Sequence, residues 1–120
     1  MRYWFLTGIL SIFLSYSAKA QKKQIIDSLK QVLQTNLTDI QKVDTYNALA
    51  SRYRRKEVIL FKRYTNQAIQ LAKKIKYAQG LYKGYAILST GLRQKGEYEE
   101  ATDIVKTLLT YVQKHRIIEI

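Results

Sequence analysis

The sequence predicts an all-α chain of antiparallel helical hairpins, and three observations carry that expectation. Proline is absent, and beyond residue 20 the only glycines are Gly80, Gly84, Gly91 and Gly96. So few breakers leave room for long helices. Apolar residues recur at helical spacing through most of the chain, and no stretch of useful length alternates with the period of a strand.

The first element reads as an export signal over residues 1–20. Arg2 gives a short positive start, Trp4 to Tyr16 is an apolar run, and Ala18 and Ala20 form a small-x-small pattern that places cleavage before Gln21. The run is shorter than the roughly 20 apolar residues of a single membrane span. The chain has no cysteine, so no lipid attachment is expected at the cleavage point and no disulfide supports the exported product. Its core must hold by packing alone.

Residues 21–37 are expected to form a capping helix, with Ile25, Ile26, Leu29, Val32 and Leu33 on one stripe. Thr38, followed three residues later by Gln41, predicts a capping box that opens the second helix. That helix carries Val43, Tyr46, Leu49, Ala50 and Tyr53 inward. A third helix is predicted over Glu57 to Lys76, with Phe61, Tyr64, Ala68, Ile69, Leu71, Ala72 and Ile75 inward and Gly80 in the break behind it. A fourth carries Leu81, Tyr85, Leu88, Ser89 and Leu92 and closes at Lys95 and Gly96. A fifth presents Ala101, Ile104, Val105, Leu108, Leu109 and Val112. Most of the eight tyrosines beyond the leader fall on these inward stripes and are expected to be core.

The pattern repeats. Shifting the second helix by 39 residues sets Tyr46 on Tyr85, Leu49 on Leu88, Ala50 on Ser89 and Tyr53 on Leu92. Shifting the third by 40 sets Tyr64 on Ile104, Ala68 on Leu108, Ile69 on Leu109 and Ala72 on Val112. On these residues, and on the G-x-Y-x-x-A turn of Gly96, Tyr98 and Ala101, residues 38–120 resemble two units of the tetratricopeptide-repeat family. Small Ser89 and Ala101 would let two helix backbones approach. The first unit departs from the family pattern, because its turn lacks the glycine and Phe61 or Lys62 stands where alanine is usual. Both units lack the closing proline, and their 39-to-40-residue spacing exceeds the usual repeat of about 34. The extra length is read as an extended helix through "LAKKIKYAQG".

The resemblance implies a short right-handed α-solenoid whose first helices line a groove for a protein or peptide partner. By position it assigns Asp44, Asn47, Ser51 and Arg54 on one helix and Lys83, Ala86, Thr90 and Arg93 on the other. Two such units rarely close a core alone, and Ile117, Ile118 and Ile120 read as the start of a further repeat or contact. Exported runs of such repeats in bacterial envelopes resemble the sensor portions of membrane histidine kinases and related transcriptional regulators. That gives a second reading, an N-terminal sensor fragment of a larger membrane signalling protein.

Charge supplies a third. The chain holds 21 Lys and Arg against 9 Asp and Glu. Removing Arg2 and Lys19 with the leader leaves 19 against 9, a formal +10. Such a balance draws a chain toward anionic partners. Arg52, Arg54, Arg55, Lys56, Lys62 and Arg63 crowd one turn as a basic rim, which fits a surface module for anionic polymers or lipids. Export argues against nucleic acid; anionic envelope lipids, acidic glycans or an acidic protein or peptide partner fit the periplasm, the cell envelope or the medium better. Asn47, Arg54, Lys83 and Arg93 would hold a peptide partner's carboxylates by charge-assisted hydrogen bonds.

Enzymatic chemistry is not expected. His115 is the only histidine, which denies a Ser-His pair or a histidine metal cluster a second member. Glu97, Glu99, Glu100 and Asp103 read as a solvated first helical turn, where acids are favoured. The glycines do not form a phosphate loop. No metal and no cofactor is anticipated.

Overall fold

The computed structural model describes the backbone of residues 2–115 and the side chains from residue 17 onward. The side chains of the apolar run Trp4–Tyr16, and the apolar end at Ile117, Ile118 and Ile120, lie outside the described residues. Five helices follow one another: α1 (Arg2–Leu33), α2 (Asp39–Tyr53), α3 (Val58–Ile75), α4 (Ala78–Gln94) and α5 (Tyr98–His115). Among the described residues there is no strand, and no helix is long and apolar enough to cross a membrane. Each helix packs on the next, and α2 also touches α4, so the leading helices of the two hairpins lie side by side.

α1 begins earlier than the helix expected over residues 21–37, runs unbroken through Ala18 and Ala20, and ends at Leu33. At 1.5 Å per residue a helix of this length measures about 48 Å, which contributes to an outline of 67 × 38 × 28 Å. Its apolar stripe splits. Ile26, Leu29 and Leu33 pack on the core, whereas Ile25 and Val32 remain exposed.

α2 opens on the expected capping box. Thr38 Oγ1 accepts from the Gln41 N–H at 3.2 Å, and Gln41 Oε1 accepts from the Thr38 N–H at 3.0 Å. Two of the helix's four free amide donors are thereby satisfied. Val43, Leu49, Ala50 and Tyr53 are buried as the periodicity requires, with Tyr46 and Tyr53 stacked on Tyr64 of α3.

The break between α3 and α4 is not at Gly80. It falls at Lys76 and Tyr77, where Lys76 takes a left-handed conformation with φ 57°. The Tyr77 N–H then donates back to the Ala72 carbonyl at 2.9 Å. Gly96, with φ 81°, ends α4 in the same way, and the Glu97 N–H donates to the Leu92 carbonyl at 2.9 Å. Both turns thus close on a bond that spans five residues, the usual device for ending a helix with a left-handed residue. The expected extension of the third helix into "AQG" is therefore overturned. Those three residues form the first turn of α4.

Gly80, Gly84 and Gly91 instead line one face of α4, where the other helices come closest. A methyl group at Gly80 would stand 2.5 Å from Val43 Cγ1, and one at Gly84 2.8 Å from Ile69 Cγ1. At Gly91 it would meet the Phe61 ring at 2.3 Å. The last contact shows what Phe61 packs against. A bulky Phe61 is accommodated because the helix opposite offers no side chain. Fully buried Phe61, Leu49, Leu81, Leu92 and Val43 make the centre of the core.

α5 closes the described stack. Only Ala101 is buried on it; Ile104, Leu108, Tyr111 and Val112 are half-buried. Val105 and Leu109, expected inward, are exposed instead, because no described helix lies over that side. Lys73 of α3 ties the end of the stack together. Its ammonium lies 5.5 Å from the Tyr85 ring and 5.3 Å from the Tyr111 ring, within cation–π range of both.

Candidate functional site

The groove residues divide between surface and interior. On α2, Asp44 and Ser51 are exposed, but Asn47 is 0% exposed. Asn47 Nδ2 donates to the Gly80 carbonyl at 3.0 Å. Arg54, seven residues on and therefore on the same side of α2, is half-buried with its Cγ facing Gly91. These two belong to the seam between α2 and α4. Asn47 is thus withdrawn from the groove, since a side chain enclosed between two helices cannot meet a partner. Ala48, next to Asn47, is half-buried, and Arg55, next to Arg54, is exposed in the turn that follows α2. On α4, Lys83, Ala86 and Arg93 are exposed and Thr90 is half-buried.

Asp44 is engaged within the chain. Its carboxylate accepts from the Tyr77 hydroxyl at 2.9 Å. That bond to Asp44, together with partial desolvation and the nearby negative charge, raises the Tyr77 hydroxyl above the usual tyrosine pKa.

The basic rim also divides. Lys62 Nζ lies 3.7 Å from a Glu97 oxygen and 3.8 Å from a Glu100 oxygen, so its charge is met inside the chain. Both contacts are long and lie between partly exposed side chains, so Lys62 shares its part of the rim with two acids. Arg63 is exposed on α3 and is not part of the crevice lined by the others. Arg52, Arg55 and Lys56 stay together and line a crevice of about 390 Å³ between α1 and the α2–α3 turn.

α1 supplies the other wall of this crevice through Lys22 and Ile26; α2 adds Ser51 and Tyr53, and Glu57 is the one acid of the lining. Lys22, Ile26, Tyr53 and Glu57 were not legible as site residues, because nothing in the sequence indicates which side of α1 faces which turn. The packing that creates the wall is visible one turn further along α1. There Lys30 Nζ lies 5.6 Å from the Tyr53 ring. The Tyr53 side chain beside it raises Lys30 above the usual lysine pKa.

A second cleft adjoins the first, lined by Arg54, Arg55, Gln94 and Lys95. Arg55 is common to both, so it forms the shared wall. The Arg54 Nε is shielded from solvent and has no hydrogen-bond partner among the described residues. An enclosed donor of this kind ordinarily finds an acceptor. Two guanidinium groups, Arg52 and Arg55, can each offer a pair of parallel N–H donors to a carboxylate, while Ile26 and Tyr53 provide apolar surface beside them. The arrangement suits an anionic group attached to something apolar.

Among the described residues no three His, Cys, Asp or Glu side chains come close enough to hold a metal ion. Compared with known proteins, the chain matches no family model, no curated protein and no solved structure.

Proposed function

We propose that this chain is an exported, non-enzymatic helical-repeat module of tetratricopeptide-like build, and that it captures a protein or peptide partner through acidic groups. The observation that supports this reading best is Arg55, standing between two adjoining clefts that together gather Lys22, Arg52, Arg54, Lys56 and Lys95 around a single acid, Glu57. The partner's carboxylates would meet Arg52 and Arg55, and a neighbouring apolar side chain would rest on Ile26 and Tyr53. The α2–α4 face, with Ser51, Lys83, Ala86, Thr90 and Arg93, continues the contact surface.

The test is partner capture from an envelope fraction by the full chain, compared with an Arg52→Glu/Arg55→Glu variant of equal helicity. A discrete set of captured proteins that disappears with the variant supports the reading. Capture lost instead in a Lys83→Glu/Arg93→Glu variant moves the contact to the α2–α4 face. Binding that ignores partner sequence and falls steeply with salt replaces the reading with an anionic-polymer or lipid surface module.

A further inference from the structure

α5 leaves a stripe uncovered. Tyr98, Val105 and Leu109 are 66%, 44% and 55% exposed, and their spacing of seven and four residues places them on one face of the helix. The internal repeat shows what such a face does when it has a neighbour. Ile69, which the 40-residue shift sets on Leu109, is buried because α4 packs over α3, with Gly84 facing the Ile69 side chain. Leu109 has no described helix in that place.

We propose that a second copy of this chain covers the stripe, with the two α5 helices packed antiparallel about a two-fold axis. Charge selects this occupant. Glu99 and Lys106 flank the stripe on the same side, are both exposed and share a shallow surface groove with Tyr98, Thr102 and a second acid, Asp103. Neither belongs to an ion pair among the described residues, where the pairs are those of Lys62. They stand seven residues apart, which is about 10.5 Å along a helix.

In an antiparallel two-fold pair each flank meets the same flank of the other copy, so every contact occurs twice. With the axis near Thr102, Glu99 faces Lys106 of the second copy, and Lys106 faces Glu99 of the second copy. The same register lays Tyr98 beside Val105 and Leu109 of the second copy. A parallel arrangement would carry the Glu99–Lys106 flanks of the two copies to opposite sides of the seam, where neither charge meets its counterpart, and would align the two helix dipoles unfavourably. The complementarity is thus internal to α5 and asks for no other partner.

Sedimentation velocity on the full chain, purified as its host cell delivers it, tests the interface. Twice the monomer mass is expected at tens of micromolar, and Leu109→Asp should return the protein to a monomer with unchanged circular dichroism. Glu99→Lys should weaken association at least tenfold, and the exchanged pair Glu99→Lys/Lys106→Glu should restore it. A wild-type chain that stays monomeric overturns the proposal. So does association that survives Leu109→Asp, or that the exchanged pair fails to restore.

Discussion

The Asn47 side-chain amide donates to the backbone carbonyl of Gly80 at 3.0 Å, joining α2 to α4 inside the core. The bond also fixes the amide orientation, since only the NH2 end can donate to a carbonyl. Asn47→Ala should destabilise the fold by about 1–2 kcal/mol, the usual range for a buried hydrogen bond lost with its packing. Asn47→Asp should cost more, because it places a carboxylate where no water reaches. Urea unfolding monitored at 222 nm checks both; a change below the error of the extrapolation would make the bond incidental.

Gly91 and Gly96 are expected to respond to alanine for opposite reasons. At Gly91 the new methyl meets Phe61, and overpacking of this kind costs about 1–3 kcal/mol, more than the gain of about 1 kcal/mol in helix propensity. Phe61→Leu should recover part of the loss in the double variant. At Gly96 nothing stands within 4 Å, and the cost comes from φ 81° alone. Only the first penalty should depend on residue 61, which a double-mutant cycle by thermal or urea unfolding measures directly.

Lys76 adopts by necessity the conformation that Gly96 adopts freely. A left-handed residue with a Cβ is held at a cost of about 1–2 kcal/mol. Lys76→Gly should therefore raise stability by up to about 1 kcal/mol, part of the gain being offset by the freer unfolded chain. A lowered melting temperature in the variant would contradict this and would assign the Lys76 side chain a contact of its own.

Alkaline pH should expose the bond between Tyr77 and Asp44. Its hydroxyl proton is held by Asp44, so its pKa is raised in the folded state. The stability it contributes is fully present below the ordinary tyrosine pKa of about 10. It is lost as pH rises through the higher folded value. Subtracting the 295 nm titration of Tyr77→Phe from that of the wild type should give a curve with a midpoint above 10. A midpoint at or below that of free tyrosine would mean that the Asp44 bond does not persist in solution.

What the sequence made legible was everything that depends on local chemistry. The Thr38–Gln41 box, the Lys95–Gly96 turn and the inward stripes of α2, α3 and α4 follow from residue type and period, and they stand where expected. What it hid depends on which helix comes to lie opposite. Gly80 reads as a breaker in isolation, but Val43 and Tyr77 need its missing side chain. Lys76 carries no mark of the left-handed turn it makes. Asn47 and Arg54 were placed on the partner face, whereas the contact of α2 with α4 turns them inward and leaves Arg55 outside. The crevice beside Arg55 needs α1 as a wall, and no short-range pattern places α1 there.

The glycine face of α4 bears on how the molecule opens as well as how it packs. A helix with Gly80 in its first turn and Gly84 and Gly91 in its interior forgoes roughly 2–3 kcal/mol of intrinsic helicity relative to alanine. Such a segment has little reason to coil before its neighbours arrive, and little reason to stay coiled once they leave. Its amide protons should accordingly exchange with solvent only when the whole bundle unfolds, at one shared free energy, while the outer helix α5 exchanges earlier by local opening. The stack would then melt from its α5 end but lose its centre all at once.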